Sequence, residues 1–236
     1  MEKKTILITG ASKGIGLATS HHLAREGFHV VGIARHHPEG KFPGTFFPCD
    51  LSSAAETEGV LTEIAQLHAI DGIVNNVGIA LPQPLGSIDL ESLEAVYDLN
   101  VRTAIQVVQS FVHQMKEKKW GRIINISSRA IFGIAGRTSY AAAKCALIGC
   151  TRTWALELAP FRITVNAIAP GPIDTELFRT SRPVGSPEEK EVLASIPLGR
   201  VGKPEEIAAS IAFLLSEGAA FITGHTLCVD GGASTV

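Results

Sequence analysis

The sequence has little excess charge and no long apolar run. Its 21 lysine and arginine residues nearly balance 23 aspartate and glutamate residues, giving a formal charge of −2. Because no extended basic run is present, a nucleic-acid surface is not expected. No window approaches the roughly 18 apolar residues of a transmembrane helix. Residues 1–4 lead directly into a short apolar segment followed by glycines, which is unlike a signal peptide. The sequence therefore predicts a protein that binds neither nucleic acid nor membrane.

Cysteine is also scarce. The four cysteines are scattered, without the spacing of paired metal ligands, at Cys49, Cys145, Cys150 and Cys228. We interpret them as reduced thiols that serve mostly as packing residues, which predicts a cytoplasmic protein. No metal site is predicted.

What the sequence does have is enough apolar residues, 45% of 236, for a large core. This length favours one domain over 1–236. Strand-like runs alternate with helical patterns, which predicts an α/β fold with a doubly wound, seven-stranded parallel sheet and helices on both faces. The polar, proline-broken segment 176–199 is predicted to be a mobile substrate lid. The predicted strands are 5–9, 28–34, 45–47, 70–74, 121–128, 162–168 and 226–229, and the main helices are 15–25, 54–67, 90–118, 140–158 and 205–215.

A glycine-rich turn joins the first predicted strand to the first predicted helix. Glycines let the backbone approach a pyrophosphate, and a helix N-terminus presents free N–H groups and a partial positive charge. The spacing is Gly-x-x-x-Gly-x-Gly rather than the common Gly-x-Gly-x-x-Gly, and an ordinary glycine-rich turn is the alternative. In this strand-then-helix context we interpret the turn as a dinucleotide-binding loop formed by Gly10, Ser12, Lys13, Gly14, Ile15 and Gly16.

The residues after the second predicted strand indicate which nicotinamide dinucleotide binds. An acid at this place would bind the ribose 2′-hydroxyl of NAD. Here the chain has Arg35, His36 and His37, with no acid until Glu39. Arg35 and Lys13 together favour the 2′-phosphate, although either alone could be a solvated surface charge. The predicted cofactor is therefore NADPH/NADP⁺ rather than NADH.

Other polar residues follow later strands, where open α/β sheets build their sites. Asp50 and Leu51 could hold the adenine edge, or Asp50 could be the N-cap of the next helix. The amides and glycine of 75–78 suit close packing under a ligand, and the turn 170–175 is rigid because of its prolines. Asn100 lies inside the predicted helix 90–118, where either a local kink or a tolerated polar residue is expected.

The segment Ser-Tyr-Ala-Ala-Ala-Lys places Tyr140 and Lys144 four residues apart. In a helix these side chains lie on one face, and an ammonium beside a phenol lowers the phenol's pKa from about 10. Such a pair can exchange a proton in carbonyl or alcohol chemistry near neutral pH. The alternative is a surface tyrosine packed on a lysine stem.

Together these motifs resemble the short-chain dehydrogenase/reductase family of single-domain Rossmann enzymes, over almost the whole chain. Within this family, the sequence is most similar to 3-oxoacyl-(acyl-carrier-protein) reductases through GRIINISS, YAAAKCALIG, RITVNAIAPG and PLGRVGKPEEIA. The motifs that carry the family resemblance are TGASKGIG (9–16), NNVG (75–78), Asn100, Ser128, Tyr140-x-x-x-Lys144 and PGPIDT (170–175).

The resemblance implies a role for each matching residue. Tyr140 would donate a proton to the carbonyl oxygen, Lys144 would hold the nicotinamide ribose, and Ser128 would polarise the substrate. Asn100 would position a water in a proton relay through Lys144. The remaining cofactor contacts implied are Asn76, Gly78, Pro170, Gly171, Ile173 and Thr175, with NADPH as the hydride donor.

The resemblance also implies a substrate and an assembly. It implies reduction of a 3-oxoacyl thioester, possibly on acyl carrier protein in fatty acid biosynthesis, by a homotetramer. A reductase of another ketone, sugar, quinone or secondary alcohol is the alternative, and a non-catalytic NADP(H)-binding protein is a third.

Three positions depart from the family pattern or leave a choice. Val77 replaces the common alanine of NNVG. Counting back from Tyr140 selects Ser127 as the catalytic serine, whereas aligning the strand selects Ser128, which we favour because strands keep their register better than loops. Lys119 and Arg162 lie near places where carrier reductases use basic residues, but Phe161 occupies one of those places.

Overall fold

Seven apolar segments pair in parallel into one sheet in the computed structural model, which describes residues 3–235. They are β1 (Thr5–Thr9), β2 (His29–Ala34), β3 (Thr45–Pro48), β4 (Gly72–Asn75), β5 (Gly121–Ile126), β6 (Ile163–Pro170) and β7 (Thr226–Val229). Their order across the sheet is β3-β2-β1-β4-β5-β6-β7. The winding reverses between β1 and β4, and ligands of open α/β sheets bind at the carboxyl ends of the strands beside such a point. Met1, Glu2 and Val236, at the ends of the predicted domain 1–236, lie outside the described residues.

Helices cover both faces of this sheet, as predicted. They are α1 (Gly14–Arg25), α2 (Ala54–Leu67), α3 (Leu90–Tyr97), α4 (Thr103–Lys118), α5 (Thr138–Leu158), α6 (Glu176–Ser181), α7 (Pro187–Ala194) and α8 (Pro204–Leu215). None of these helices, within residues 3–235, is long and apolar enough to cross a membrane.

Two buried clusters form the core, one on each face. Because successive side chains of a strand point to opposite faces, Ile6 and Ile8 of β1 pack with α1 and α8, while Leu7 packs with α2, α4 and α5. By the same alternation in β5, Ile124 belongs to the cluster of Ile6 and Ile8, and Ile123 belongs to the cluster of Leu7. Burial on both faces explains why these strands read as continuous apolar runs.

The predicted helix 90–118 is wrong at its centre. A π-helical turn over Asp98–Arg102 separates α3 from α4 and contains Asn100. The Nδ2 atom of Asn100 donates to the Val96 carbonyl at 2.7 Å and to the Ile79 carbonyl at 3.0 Å. This side chain therefore competes with the backbone ladder, and the distortion is the kink that was one of the two expectations.

Other element boundaries also differ from the predicted ones. Strand β5 ends at Ile126, so the two serines that follow lie beyond the strand, and β6 extends to Pro170. The predicted lid 176–199 contains α6 and α7. Arg179 joins these helices, since it binds Asp174 Oδ1 at 2.6 Å and the carboxylate of Glu189. The mobility of this segment stays a prediction.

His29 makes the fold sensitive to acid. Its ring lies half-buried at the start of β2, 5.2 Å from the ring of His68. Burial, the charge of His68 and that of Lys3 lower the pKa of His29 below its ordinary value of 6.5. The unfolded chain therefore binds this proton more readily, and stability is lost as the pH falls through 6.5 towards the folded pKa.

We expect His29→Gln to reduce the difference in the free energy of unfolding between pH 8 and pH 5.5, measured with urea. The exposed His113 on α4 supplies the control, and His113→Gln should leave the difference as in the parent. A difference that is unchanged in His29→Gln would contradict this assignment.

Candidate active site

The glycine-rich turn at the end of β1 depends on residues without side chains. Gly10 and Gly14 have φ values of +65° and +54°, in the left-handed region that favours glycine. A Cβ atom on Gly16 would clash with the Gly10 carbonyl and lie 2.7 Å from Asn76 Nδ2. The turn is therefore closely packed on its inner side, and the N-cap residue Lys13 makes no side-chain hydrogen bond to the N-terminus of α1.

Asn76 joins this turn to the end of β4. Its Nδ2 atom donates to the carbonyls of Thr9 and Gly10 at 2.9 and 3.2 Å, and its backbone N–H donates to Thr9 Oγ1 at 3.0 Å. Thr9 belongs to the motif TGASKGIG (9–16), but the sequence analysis gave it no role in the site. Its place as the last residue of β1 was the available signal.

The turn after β6 forms the opposite wall. Gly171 packs against Asp230, since a Cβ atom there would lie 2.7 Å from Asp230 Cα. Thr175 Oγ1 caps α6 by accepting a hydrogen bond from Phe178 N–H at 3.2 Å. A Cβ on Gly14 would lie 3.4 Å from Thr175 Cγ2. The two predicted cofactor loops therefore meet at this point.

Beyond β2 and β3, the predicted adenosine residues form a polar edge. Asp50 Oδ1 accepts hydrogen bonds from the Ser52 N–H and hydroxyl at 3.0 and 2.8 Å. These bonds, and the charges of Arg35 and His36, lower the pKa of Asp50. The alternative that Asp50 caps the next helix is wrong, because Ser53 is the N-cap of α2.

The other predicted cofactor residues on this side have protein partners. Leu51 is buried, and its carbonyl accepts from Arg102 Nη2 at 2.9 Å. Lys13 Nζ pairs with Glu176 Oε2 at 3.1 Å, and both side chains are more than two-thirds exposed. An exposed pair of this kind is weak, so Lys13 can exchange Glu176 for an anionic ligand at small cost.

Tyr140 and Lys144 lie on one face of α5, the α-helix that follows β5 in the chain. Lys144 is only 3% exposed, so the alternative of a surface pair is wrong. Its Nζ atom donates to the Ile126 carbonyl at 2.7 Å and lies 5.6 Å from the centroid of the Tyr140 ring.

Burial changes both titrations in this pair. It lowers the pKa of the Lys144 ammonium to about 8. Burial also raises the pKa of Tyr140, while the Ser128 hydroxyl and the charge of Arg137 act in the opposite direction. The predicted lowering of the Tyr140 pKa by Lys144 is therefore wrong for the protein alone, because the sequence pattern gave no measure of burial.

The two candidate serines have different surroundings. Ser127 is buried, and its hydroxyl donates to the Lys144 carbonyl at 3.0 Å. Ser128 is half-buried, accepts from Ala130 N–H at 3.1 Å and reaches Tyr140. Only Ser128 therefore presents its hydroxyl to the phenol.

Asn100 and Lys144 both lie on the side of Gly78 towards which a Cβ atom would project. A Cβ on Gly78 would clash with Asn100 Oδ1 and lie 3.3 Å from Lys144 Nζ. Asn100 Oδ1 is buried and has no hydrogen-bond partner among the described residues. A buried amide oxygen of this kind requires a donor, and a water molecule between Asn100 and Lys144 would supply it.

These features fit a nicotinamide dinucleotide. The N-cap residue Lys13 leaves the N-terminus of α1 without a side-chain cap, so this helix end can accept an anionic group. The facing turn supplies Thr175, and the unpartnered amide oxygen of Asn100 lies near the buried Lys144 ammonium. Arg137 is a further charged group near Tyr140 that the sequence reasoning missed. Its position three residues before Tyr140 was the signal.

The comparisons with known proteins agree with this geometry. Residues 10–234 match the family model described as "Enoyl-(Acyl carrier protein) reductase". The chain is 38% identical to the 3-oxoacyl-(acyl-carrier-protein) reductase FabG of Thermotoga maritima over 245 residues, covering 98% of both chains. It is 36% identical to nodulation protein G of Azospirillum brasilense, again covering 98% of both.

The chain belongs to the short-chain dehydrogenase/reductase family.

Among solved structures, a putative gluconate 5-dehydrogenase from Beutenbergia cavernae with bound NADP superposes with a TM-score of 0.93 at 32% identity, covering 99% of this chain and 97% of that one. The resemblance inferred from the sequence motifs, the Rossmann fold and the oxidoreductase class acting on a CH–OH or C=O group are thereby confirmed. The matches also support binding of a nicotinamide dinucleotide.

Proposed function

We propose that the protein is an NADPH-dependent reductase of a ketone, with a 3-oxoacyl thioester as the substrate. The observation that carries this proposal is the convergence of Ser128, Tyr140, Lys144 and Asn100 at the carboxyl ends of β4 and β5. An enzyme of this kind positions donor, carbonyl and acid in one dry cleft.

Each of the four residues has a proposed task. Tyr140 gives its proton to the ketone oxygen, and Ser128 donates a hydrogen bond to that oxygen. Lys144, with a pKa of about 8, holds the ribose hydroxyls and returns a proton to Tyr140. Asn100 fixes the relay water through its unpartnered Oδ1.

The cofactor residues are proposed on the same basis. The loop residues Gly10, Ser12, Lys13, Gly14, Ile15 and Gly16 bind the pyrophosphate region, and Arg35 binds the 2′-phosphate. Asn76, Gly78, Pro170, Gly171, Ile173 and Thr175 line the nicotinamide half, with Asp50 and Leu51 at the adenine. When bound, the cofactor supplies the hydride.

Arg35 provides a test of the cofactor proposal. Because Arg35 is exposed and paired with no carboxylate in residues 3–235, its charge is available to a phosphate. We expect Arg35→Asp to lower kcat/KM for NADPH by about 10- to 100-fold, the range of a charge-assisted hydrogen bond, while NADH is unaffected or improved. Steady-state kinetics with both cofactors measure this, with the exposed Arg152→Asp on α5 as control. An unchanged NADPH value would remove Arg35 from the site.

The substrate proposal has two supports. FabG proteins are among the relatives at 35–38% identity. In addition, exposed apolar side chains lie on the loops beside Ser128 and Tyr140 and on the lid, where an acyl chain could pack: Leu81, Leu85, Phe132, Ile134, Leu177 and Val184. The B. cavernae protein favours a sugar acid as the second candidate class.

A panel of substrates separates these classes. The protein should oxidise NADPH with an acetoacetyl thioester and should prefer this substrate to keto derivatives of sugar acids. Turnover of a carrier-linked substrate should also depend on Lys119 and Arg162, both of which are exposed. Next to Arg162, Lys116 Nζ lies over the ring of Phe161, 5.1 Å from its centroid. Turnover that is confined to sugar acids would replace the thioester with the second candidate, and no turnover on any ketone would reject the reductase.

The assembly and the place of action are proposed with the function. We propose a homotetramer acting in fatty acid biosynthesis in the cytoplasm. The exposed apolar residues Leu156, Phe213 and Phe221, together with the free edge of β7, supply surface for such an assembly. Light scattering measures the mass directly.

A further inference from the structure

A chain of buried polar side chains lies behind the candidate active site and connects β4, β5 and α5. Asn75 and Asn125 are paired across the two strands, Thr151 lies on the buried face of α5, and each is at most 4% exposed. Asn75 Nδ2 donates to Asn125 Oδ1 at 2.8 Å, and Asn125 Nδ2 donates to Thr151 Oγ1 at 2.9 Å. Thr151 Oγ1 in turn donates to the Leu147 carbonyl at 2.7 Å. These bonds therefore join two neighbouring strands to α5.

The direction of the hydrogen bonds is fixed by the last acceptor. A carbonyl can only accept, so the Thr151 hydroxyl gives its proton to Leu147 and must accept from Asn125. The amide of Asn125 then presents its oxygen to Asn75. A side chain at position 151 that cannot accept a hydrogen bond would therefore leave a buried N–H donor of Asn125 unpaired.

These bonds reach the same part of β5 that holds Lys144. Asn125 directly precedes Ile126, whose carbonyl accepts from Lys144 Nζ at 2.7 Å. Thr151 follows Lys144 by seven residues, which places both on one face of α5, about 10 Å apart along the helix axis. The bond between Thr151 and Asn125 is therefore a second attachment of α5 to the end of β5.

The other contacts of α5 restrict its position on the sheet less narrowly. Apolar packing is non-directional, whereas a hydrogen bond restricts both a distance and an angle. Thr151 is the polar side chain on the buried face of α5 that lies farthest from Tyr140, so it can be changed without altering a reacting group. The apolar residues of this face are small or aliphatic: Ala143, Leu147, Ala155 and Leu158.

We propose that Thr151, through Asn125, is a positioning residue that sets the height of α5 on β5 and thereby holds Lys144 at the Ile126 carbonyl. This role rests on the proposed function, because Lys144 is the group that Thr151 serves, while Thr151 itself touches neither substrate nor cofactor. Displacement of a reacting group by about 1 Å can lower a rate by about 100-fold. Loss of the Thr151 hydroxyl should therefore lower kcat more than it weakens substrate binding.

Two replacements of Thr151 separate positioning from stability. Thr151→Val keeps the volume and removes both hydrogen bonds, so kcat for an acetoacetyl thioester should fall by about 10- to 100-fold, with KM changed by less than about 3-fold. Thr151→Ser loses a methyl group but keeps both hydrogen bonds, so kcat should stay within about 3-fold of the parent although the protein is less stable.

Thr57→Val supplies the control for these kinetics. Thr57 is buried in α2, and its hydroxyl also donates to the carbonyl four residues earlier, that of Ser53, at 2.7 Å. The substitution removes the same kind of hydroxyl from another helix and should keep the parent kcat.

A measurement without turnover makes the test independent of the proposed function. Stability of the parent should rise between pH 8 and 10.5, because the folded state releases the Lys144 proton at a lower pH than the unfolded chain. Thr151→Val should let Lys144 move towards water, so that its pKa returns towards 10.5 and this rise shrinks, whereas Thr151→Ser should keep the rise. Thr151→Cys retains a weakly bonding group, should lie between the two in both measurements, and replaces the valine variant where that one does not fold.

The outcomes distinguish this inference from the function on which it rests. A parent-like kcat in Thr151→Val, or an equal loss in Thr151→Ser, would overturn the positioning role and leave the reductase intact. Absence of turnover by the parent on every ketone would reject the reductase, and the pH dependence of unfolding would then decide the role of Thr151. An unchanged rise in Thr151→Val would overturn that role, and a smaller rise would support it.

Discussion

Replacing Tyr140 with phenylalanine should lower kcat by about 10²- to 10⁴-fold, the range of a lost general acid. The substitution removes one oxygen and keeps the ring, whose packing on the Lys144 side of α5 is unchanged. KM should change much less, because Ser128 still donates to the substrate oxygen. Steady-state oxidation of NADPH with an acetoacetyl thioester measures both values.

The chain supplies a matched control for this experiment. Its only other tyrosine is Tyr97, which lies 38% exposed at the end of α3. Tyr97→Phe removes the same atom away from the site and should keep the parent kcat. Comparable turnover by Tyr140→Phe and the parent would remove Tyr140 from the chemical step. Absence of turnover by the parent on every ketone would support a protein that only binds NADP(H), the third possibility raised by the sequence.

Replacing Lys144 with methionine should lower kcat/KM by at least about 100-fold and weaken NADPH binding, since the variant loses both the ribose contact and the relay. Stability should respond differently from activity. The buried ammonium is unfavourable in the folded protein, and methionine removes this penalty at the expense of one hydrogen bond to Ile126. We therefore expect the free energy of unfolding at pH 7 to stay within about 1 kcal/mol of the parent value.

The pH dependence of unfolding identifies this group. Because burial lowers the pKa of Lys144 from 10.5 to about 8, the folded state loses the proton first and stability rises between pH 8 and 10.5. This rise should be absent in Lys144→Met. A variant that unfolds much more easily at pH 7, with the same pH slope as the parent, would contradict both expectations and show that Lys144 stabilises the fold.

The order of elements could be predicted from the sequence because parallel strands buried on both faces give continuous apolar runs. The Tyr140–Lys144 face followed from helical spacing. Boundaries were less accurate where side chains compete with the backbone, as at Asn100, whose bonds to Val96 and Ile79 create the π-helical turn. The N-cap at Ser53 had a signal in the sequence, since Glu56 follows three residues later.

Other features depend on contacts that no local pattern contains. Lys13 and Glu176 are 163 residues apart, so their pairing follows only from the folded chain. The pKa of Tyr140 depends on burial, which the four-residue spacing does not determine. The choice between Ser127 and Ser128 likewise depends on which hydroxyl reaches Tyr140, because Ser127 bonds to the Lys144 carbonyl instead.

Transfer of an isotope tests the central claim most directly. The protein would be given an acetoacetyl thioester and NADPH deuterated at C4 of the nicotinamide, in each of the two stereoisomeric forms, and the product analysed by mass spectrometry. The account predicts one deuterium at C3 of a 3-hydroxybutyryl product from one of the two forms, and none in Tyr140→Phe on the same time scale. A product without deuterium from either form, or no reduced product at all, would contradict it.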